Sequence, residues 1–264
     1  DLRKNRVRDG IFMAGSAMIL LMLISVFAVI FVVPLVREWP YQTSFTMEHV
    51  IDTLTDSSLF GVYQNSLFVA VCTAAAGLLI TYGAALATAR SGLKGRLKAV
   101  IDSIALVTNT IPGMVIGIAF MFIFSGTPLQ NTFLLIIICN VVHFFSTPYL
   151  MMKNSLSKLN SSWEATAALM GDSWIKTIVR IITPNMVSTL LEVFGYYFVN
   201  AMVTVSAVIF IAGARTMVIT TKMKELQYYT KFNEVFVLSL LILATNLAVK
   251  GILAVLMRSG KIGR

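Results

Sequence analysis

Apolar residues along the chain gather into six long blocks, at about 11–36, 66–88, 100–124, 132–152, 186–212 and 235–257. Blocks of roughly 18 or more apolar residues with few charges read as membrane-crossing helices. At about 1.5 Å of rise per residue, each block covers a hydrocarbon core of about 30 Å, some with tilt. A helix satisfies its own backbone groups where no water is available. The in-out alternation of a membrane barrel is missing. The pattern therefore predicts an all-α, polytopic bundle of six transmembrane helices, forming one domain over residues 1–264. The first block is too long for a signal-peptide core and has no small-residue cleavage site, so a retained helix is expected there. The chain starts at Asp1 and not at a methionine, and a few residues are expected upstream.

The polar stretches between the blocks differ in kind. The stretch 37–65 is long, and its "MEHVIDTLTDSSLFGVYQNS" suits a short surface helix. Residues 125–131, "SGTPLQN", read as a Gly/Pro turn. Residues 213–233 are polar and mixed. The largest interruption is 153–184. Within it, Trp163, Ala167, Met170, Trp174, Ile178 and Ile181 recur at steps of three or four, which predicts one apolar helical stripe. Gly171 falls in the middle, where glycine costs about 1 kcal/mol against alanine. It suits a turn between two short helices or a close backbone approach. Pro184 opens the next segment, where proline is tolerated.

Composition agrees with the pattern. The chain is 57% hydrophobic and only 12% charged, with a mean hydropathy of +0.82. Soluble domains carry about 25% charged residues. Charge then sets the orientation. With both termini in the cytoplasm, sixteen of the 21 Lys and Arg residues fall on the inner side, as expected from the inward bias of basic loops. The net charge of +9 is thus explained by topology and anionic inner-leaflet lipid, with no nucleic-acid partner needed.

Catalytic and metal-binding patterns are missing. Cys72 and Cys139 lie inside apolar blocks, and His49 and His143 stand alone. No HExxH, GxSxG or GxxxxGK[ST] pattern occurs. No catalytic residue, no metal site and no cofactor bound by the chain itself is expected.

Residues 153–184 thus have two readings: an amphipathic segment resting on the inner leaflet, or a docking element for a soluble partner. Here the residues resemble a family. The segment is similar to the cytoplasmic loop of permease subunits of type I ATP-binding-cassette importers. That pattern is Glu-Ala-Ala, three residues, Gly, nine residues, Ile, one residue, Leu-Pro. Gly171, Ile181 and Pro184 match at the right spacing. The Glu-Ala-Ala positions fall on Ala165, Thr166 and Ala167, with Glu164 one place early and Thr183 where the family has leucine. Residues 65–96 resemble the family's second span with its basic loop. "NTIPGMVIGIAF", residues 109–120, resembles an Ile-Pro-Gly stretch in the branch that handles ferric iron, phosphonates and related solutes.

The resemblance implies a coupling loop of Glu164, Ala165, Thr166, Ala167, Gly171, Asp172, Ser173, Trp174, Lys176, Ile181 and Pro184. It also implies a bacterial inner-membrane subunit that forms half of a solute pathway. A second permease, identical or homologous, would supply the other half. Two cytoplasmic ATPase subunits would carry ATP and magnesium, and an external solute-binding protein would deliver cargo. The favoured solutes are ferric iron or a phosphonate-like compound. A stand-alone secondary transporter or channel is the alternative reading, and would carry inverted repeats and midplane charges. An intramembrane enzyme would need a convergent catalytic set.

Several polar positions inside the blocks stand out. Pro112 frees backbone groups, so Asn109, Thr110, Pro112 and Gly113 line the pathway or form a packing kink. Glu192 and Lys250 sit at similar depth by counting; either they pair, or Lys250 snorkels to the interface while Glu192 faces the pathway or Asn and Thr groups. Tyr196, Asn200 and Thr204, with Tyr197 and Ser206, border the pathway or bond helix to helix.

Overall fold

The computed structural model describes residues 6–262, with side chains described through Arg258. The chain forms two compact units. One takes the chain up to Leu59 together with Met223–Leu243; the other takes Phe60–Lys222 and the chain from Ala244 onward.

The first unit opens with α1 (Arg6–Val32), a long apolar helix that buries none of its side chains within the protein. A 3₁₀ turn with Pro34 in its first turn follows. A small antiparallel hairpin, β1 (Val36–Glu38) and β2 (Gln42–Phe45), comes next. The all-α expectation did not include it. Its residues alternate poorly and are mostly exposed, so hydropathy carries no trace of it. Helix α2 (Glu48–Thr55) is the short helix expected in this stretch. His49 Nε2 lies 3.1 Å from the Arg37 carbonyl and 3.0 Å from Asn233 Nδ2, which ties the hairpin, α2 and the start of the last helix together.

The second unit is built on α3 (Ser57–Ala89), 33 residues long. Its start, "SSLFGVYQNS", falls in the stretch expected to form a short surface helix, and is instead continuous with the span expected from residue 66. The expected span at 100–124 is instead two helices, α4 (Gly95–Val107) and α5 (Gly113–Phe124). Two local causes are visible. Pro112 has no N–H to continue the ladder, and the Thr108 and Thr110 hydroxyls bond back to the Ala105 and Val107 carbonyls.

The expected span at 132–152 is α6 (Phe133–His143) and α7 (Ser146–Lys158), bent by 57°. Pro148 removes the donor that the Phe144 carbonyl would need, and the break falls there. Helices α8 (Ser162–Leu169) and α9 (Trp174–Thr177) follow, then a π turn at Ile178–Ile182 and the short helix α10 (Thr183–Asn185).

Helix α11 (Val187–Val203) leaves the preceding segment at 77° and ends at Thr204, so the block 186–212 is not one helix. Helices α12 (Ile219–Tyr228) and α13 (Phe232–Ile262) complete the chain. Among the described residues, three helices are long and apolar enough to cross a membrane, or five if each bent pair counts once. Among the described residues, six continuous spans are not found.

The core of the second unit lies where α3, α5, α6 and the 205–212 turn meet, around Val69, Ile116, Ile136, Cys139, Ala207 and Val208.

Candidate functional site

The interruption at 162–186 is two short helices around a tight turn. Helix α8 starts where the Asn160 side chain accepts the Ser162 N–H at 2.9 Å. It ends in a closed C-cap: Gly171 N donates to the Ala168 carbonyl at 3.1 Å and Asp172 N to the Ala167 carbonyl at 2.9 Å. Gly171 has φ +76° and nothing crowds its missing Cβ, so conformation alone demands glycine there. Ser173 then caps α9 through the Lys176 N–H at 3.3 Å. Asp172 and Lys176 form an ion pair across the same turn.

Pro184 cannot donate to the Arg180 carbonyl, and the chain widens into the π turn just before it. The Asn185 side chain recovers the Ile181 carbonyl at 2.7 Å. The expected single stripe is corrected by this turn. Ala167 and Ile178 are buried, whereas Met170 and Trp174 are exposed.

The outer surface of the pair is apolar and bare. Leu169 is 89% exposed, Met170 77% and Ile175 69%. Ala165 and Thr166 are exposed beside them. The underside is clamped. Arg90, at the end of α3, lies with Nε 2.7 Å from Glu164 Oε1, and its side chain is only 6% exposed. Its remaining donors reach Glu164 Oε2, the Leu159 carbonyl and the Asn160 carbonyl, each at 3.1 Å. Glu164 is therefore engaged within the chain.

A second joint lies behind it. The Asp102 carboxylate on α4 accepts from Tyr149 Oη and Lys153 Nζ on α7, both at 2.5 Å, and Tyr149 Oη lies 2.8 Å from Thr88 Oγ1 on α3. Tyr82–Thr183, Ser155–Thr189 and Thr81–Tyr197 hydroxyl contacts tie α10 and α11 to α3 and α7. Neither joint was anticipated. Asp102 was the available signal, because an acid inside an apolar block demands a partner.

The polar positions of the membrane blocks divide between two clefts that share Tyr196. One, of about 340 Å³, is lined by Glu192, Tyr196, Asn200 and Lys250 with Met151, Leu253 and others. Glu192 and Lys250 thus meet the same space, with no ion pair joining them among the described residues. The Asn200 side chain donates to the Tyr196 carbonyl at 2.8 Å. The other cleft, of about 200 Å³, is lined by Thr108, Asn109, Ile111, His143, Phe144, Ser146, Thr147 and Tyr196.

Thr110 and Pro112 are exposed next to this cleft. Gly113 is a close-approach position, since a Cβ there would fall 2.9 Å from the His143 ring. Thr204 lines neither cleft; it is buried, and its carbonyl accepts from Thr220 at 2.7 Å.

Comparison with known proteins decides the family. The profile described as "Binding-protein-dependent transport system inner membrane component" matches residues 77–259, which holds both joints, both clefts and the turn at Gly171. The chain belongs to this family. It is accordingly an inner-membrane transport component.

Two curated relatives illustrate the range. The ferric transport system permease protein FbpB of Actinobacillus pleuropneumoniae is 32% identical over 151 residues, 56% of this chain. The match spans only about a fifth of that relative's length, 21%. The molybdate/tungstate transport system permease protein WtpB of Pyrococcus furiosus is 25% identical over 65% of this chain and 68% of its own. In three dimensions, a chain from a bacterial alginate ABC transporter, crystallised with an alginate pentasaccharide-bound periplasmic protein, superposes with a TM-score of 0.76. The overlap covers 94% of this chain and 92% of that one at 11% identity. At that identity the likeness concerns the fold. This family member shares its overall fold with that transporter chain.

Proposed function

We propose that this family member is the membrane half-pathway of an ATP-driven importer. In this reading α8 and α9 form the cytoplasmic element gripped by a separate ATPase subunit, and both termini lie on the same side. One observation carries the reading. A pair of short helices turns its bare Leu169, Met170 and Ile175 outward while Arg90 and Glu164 bolt its underside to α3. An amphipathic segment resting on lipid is held by the bilayer itself. A lever must be rigid with respect to the bundle it moves. The buried ion pair and the 102–149–153 joint supply that rigidity, and the apolar crown suits a groove on a soluble partner.

Closure of an ATPase dimer would draw two such elements together and rock the helices attached to them. The second element comes from another permease, identical or homologous, and ATP with magnesium stays on the ATPase. An external binding protein presents the solute, as the family's own description implies. The solute is small; relatives named for ferric iron and for molybdate or tungstate support either a metal-ion or an oxyanion cargo.

Purification of the chain with its associated proteins tests this reading. An ATPase is expected to accompany the wild-type chain and to be lost when Leu169 and Met170 both become Glu, with the chain still folded in the membrane. Retention of the ATPase by the double variant, or solute transport by the chain alone, would sink it.

A further inference from the structure

The smaller cleft has a chemistry that the proposed function leaves unused. Six polar side chains line it: Thr108 and Asn109 from the link between α4 and α5, His143 at the end of α6, Ser146 and Thr147 at the head of α7, and Tyr196 on α11. The Thr108 hydroxyl is taken by the Ala105 carbonyl; among the described residues, none of the other five side chains hydrogen-bonds within the protein. Ser146 is only 3% exposed, and its hydroxyl has no hydrogen-bond partner among the described residues. Buried polar groups are nearly always bonded, and one that is not calls for an explanation such as a missing ligand.

The main chain adds to the set. Phe144 N and Phe145 N bond back to Asn140 and Val142, and the next amide to bond is Tyr149 N, to the Phe145 carbonyl. Among the described residues, the Ser146 and Thr147 N–H groups therefore have no backbone acceptor, and Pro148 has no N–H at all. Open amides at the head of a helix carry a partial positive charge.

The balance of donors and acceptors decides what fits. Three hydroxyls, an amide and an imidazole are free to donate, and no lining residue carries a carboxylate. A bare trivalent cation wants several anionic oxygens, and this cleft offers one phenol. An oxyanion wants convergent N–H and O–H donors. The absence of lysine and arginine from the lining matters as well. A pathway site must bind well enough to admit the solute and weakly enough to release it. Neutral donors bind an anion less firmly than the charge-assisted contacts of a guanidinium.

We propose that this cleft is a transit subsite for a small oxyanion of the phosphate type. The inference rests on the importer reading and narrows it from the two cargo classes to one.

The test uses the full chain in lipid nanodiscs, free of ATPase, with inorganic phosphate as the probe and phosphorus NMR line broadening as the readout. Wild type is expected to broaden the phosphate line in a saturable way. Asn109→Asp places a carboxylate on an exposed position at the cleft and should weaken the apparent affinity about tenfold, the scale of one lost hydrogen bond to a charged group. Thr147→Val removes one donor and should weaken it severalfold, while Ser103→Ala, outside the cleft, should match wild type. Two results would overturn the subsite: no saturable broadening by wild type, or equal broadening by wild type, Asn109→Asp and Thr147→Val. Neither outcome touches the importer reading, which stands or falls on ATPase association.

Discussion

The joint beneath α8 and the cleft beside Tyr196 treat polar groups in opposite ways. At the joint every charge is answered. Arg90 meets both oxygens of Glu164 and two carbonyls, and Asp102 meets Lys153 and Tyr149. At the cleft, Asn109, His143, Ser146, Thr147 and Tyr196 are left open. A satisfied network fixes helices in place, because breaking it strands a charge. An open one adds nothing to the fold and remains available to something that passes. Under the proposed function, the contrast separates the part of the chain that would transmit force from the part that would touch cargo.

The comparison breaks most visibly at Arg90. Arg90→Ala leaves Glu164 and two carbonyls unanswered in a mostly buried setting, and should cost about 3–5 kcal/mol. Thermal unfolding in detergent would register a large drop, and ATPase association should fall with it. Gly171→Val comes next. A branched side chain at φ +76° should cost roughly 1–2 kcal/mol and distort the crown of α8 and α9 while sparing the bundle. Circular dichroism should remain near wild type as ATPase association falls.

Asp102→Asn keeps a partner for Tyr149 but loses the Lys153 pair, which is part-exposed. A loss of about 1 kcal/mol is expected, read as a modest fall in the unfolding midpoint. The smallest stability effect belongs to the cleft. Tyr196→Phe should shift stability by less than about 0.5 kcal/mol, yet change solute uptake by the assembled transporter. If Tyr196→Phe proved as destabilising as Arg90→Ala, the distinction between the two regions would be lost.

The sequence carried these regions unequally. The turn at Gly171 between two short helices, and the break before α11 at Pro184, were readable because glycine and proline act locally. The 100–124 block was misjudged for the converse reason. Averaged hydropathy stays high across Thr108, Asn109, Thr110 and Pro112, although those four residues end one helix and start another. The stripe from Trp163 to Ile181 assumed an unbroken helix, and a positive φ at Gly171 ended that phase.

The joints were out of reach of pattern reading. Arg90 and Glu164 stand 74 positions apart, and Asp102 and Lys153 stand 51 apart. No periodicity links residues so distant. In the sequence, inner-side Lys and Arg residues such as Arg90 and Lys153 count only as positive charges that orient the loops. The membrane positions divided in a way that depth counting does not resolve. Glu192, Tyr196, Asn200 and Lys250 share one cleft, Asn109 and Tyr196 share the other, and Thr204 lines neither, its carbonyl accepting from the Thr220 hydroxyl.

The lever role of α8 and α9 is most directly tested by a single cysteine at position 170, in a chain whose Cys72 and Cys139 are replaced by serine or alanine. Sealed vesicles of both orientations would be treated with a membrane-impermeant maleimide, then with a short bifunctional crosslinker. The account predicts labelling only where the cytoplasmic face is outward, and a crosslink from position 170 to an ATPase subunit. Labelling from the external face, or a position 170 that reaches no ATPase in the assembled transporter, would contradict it.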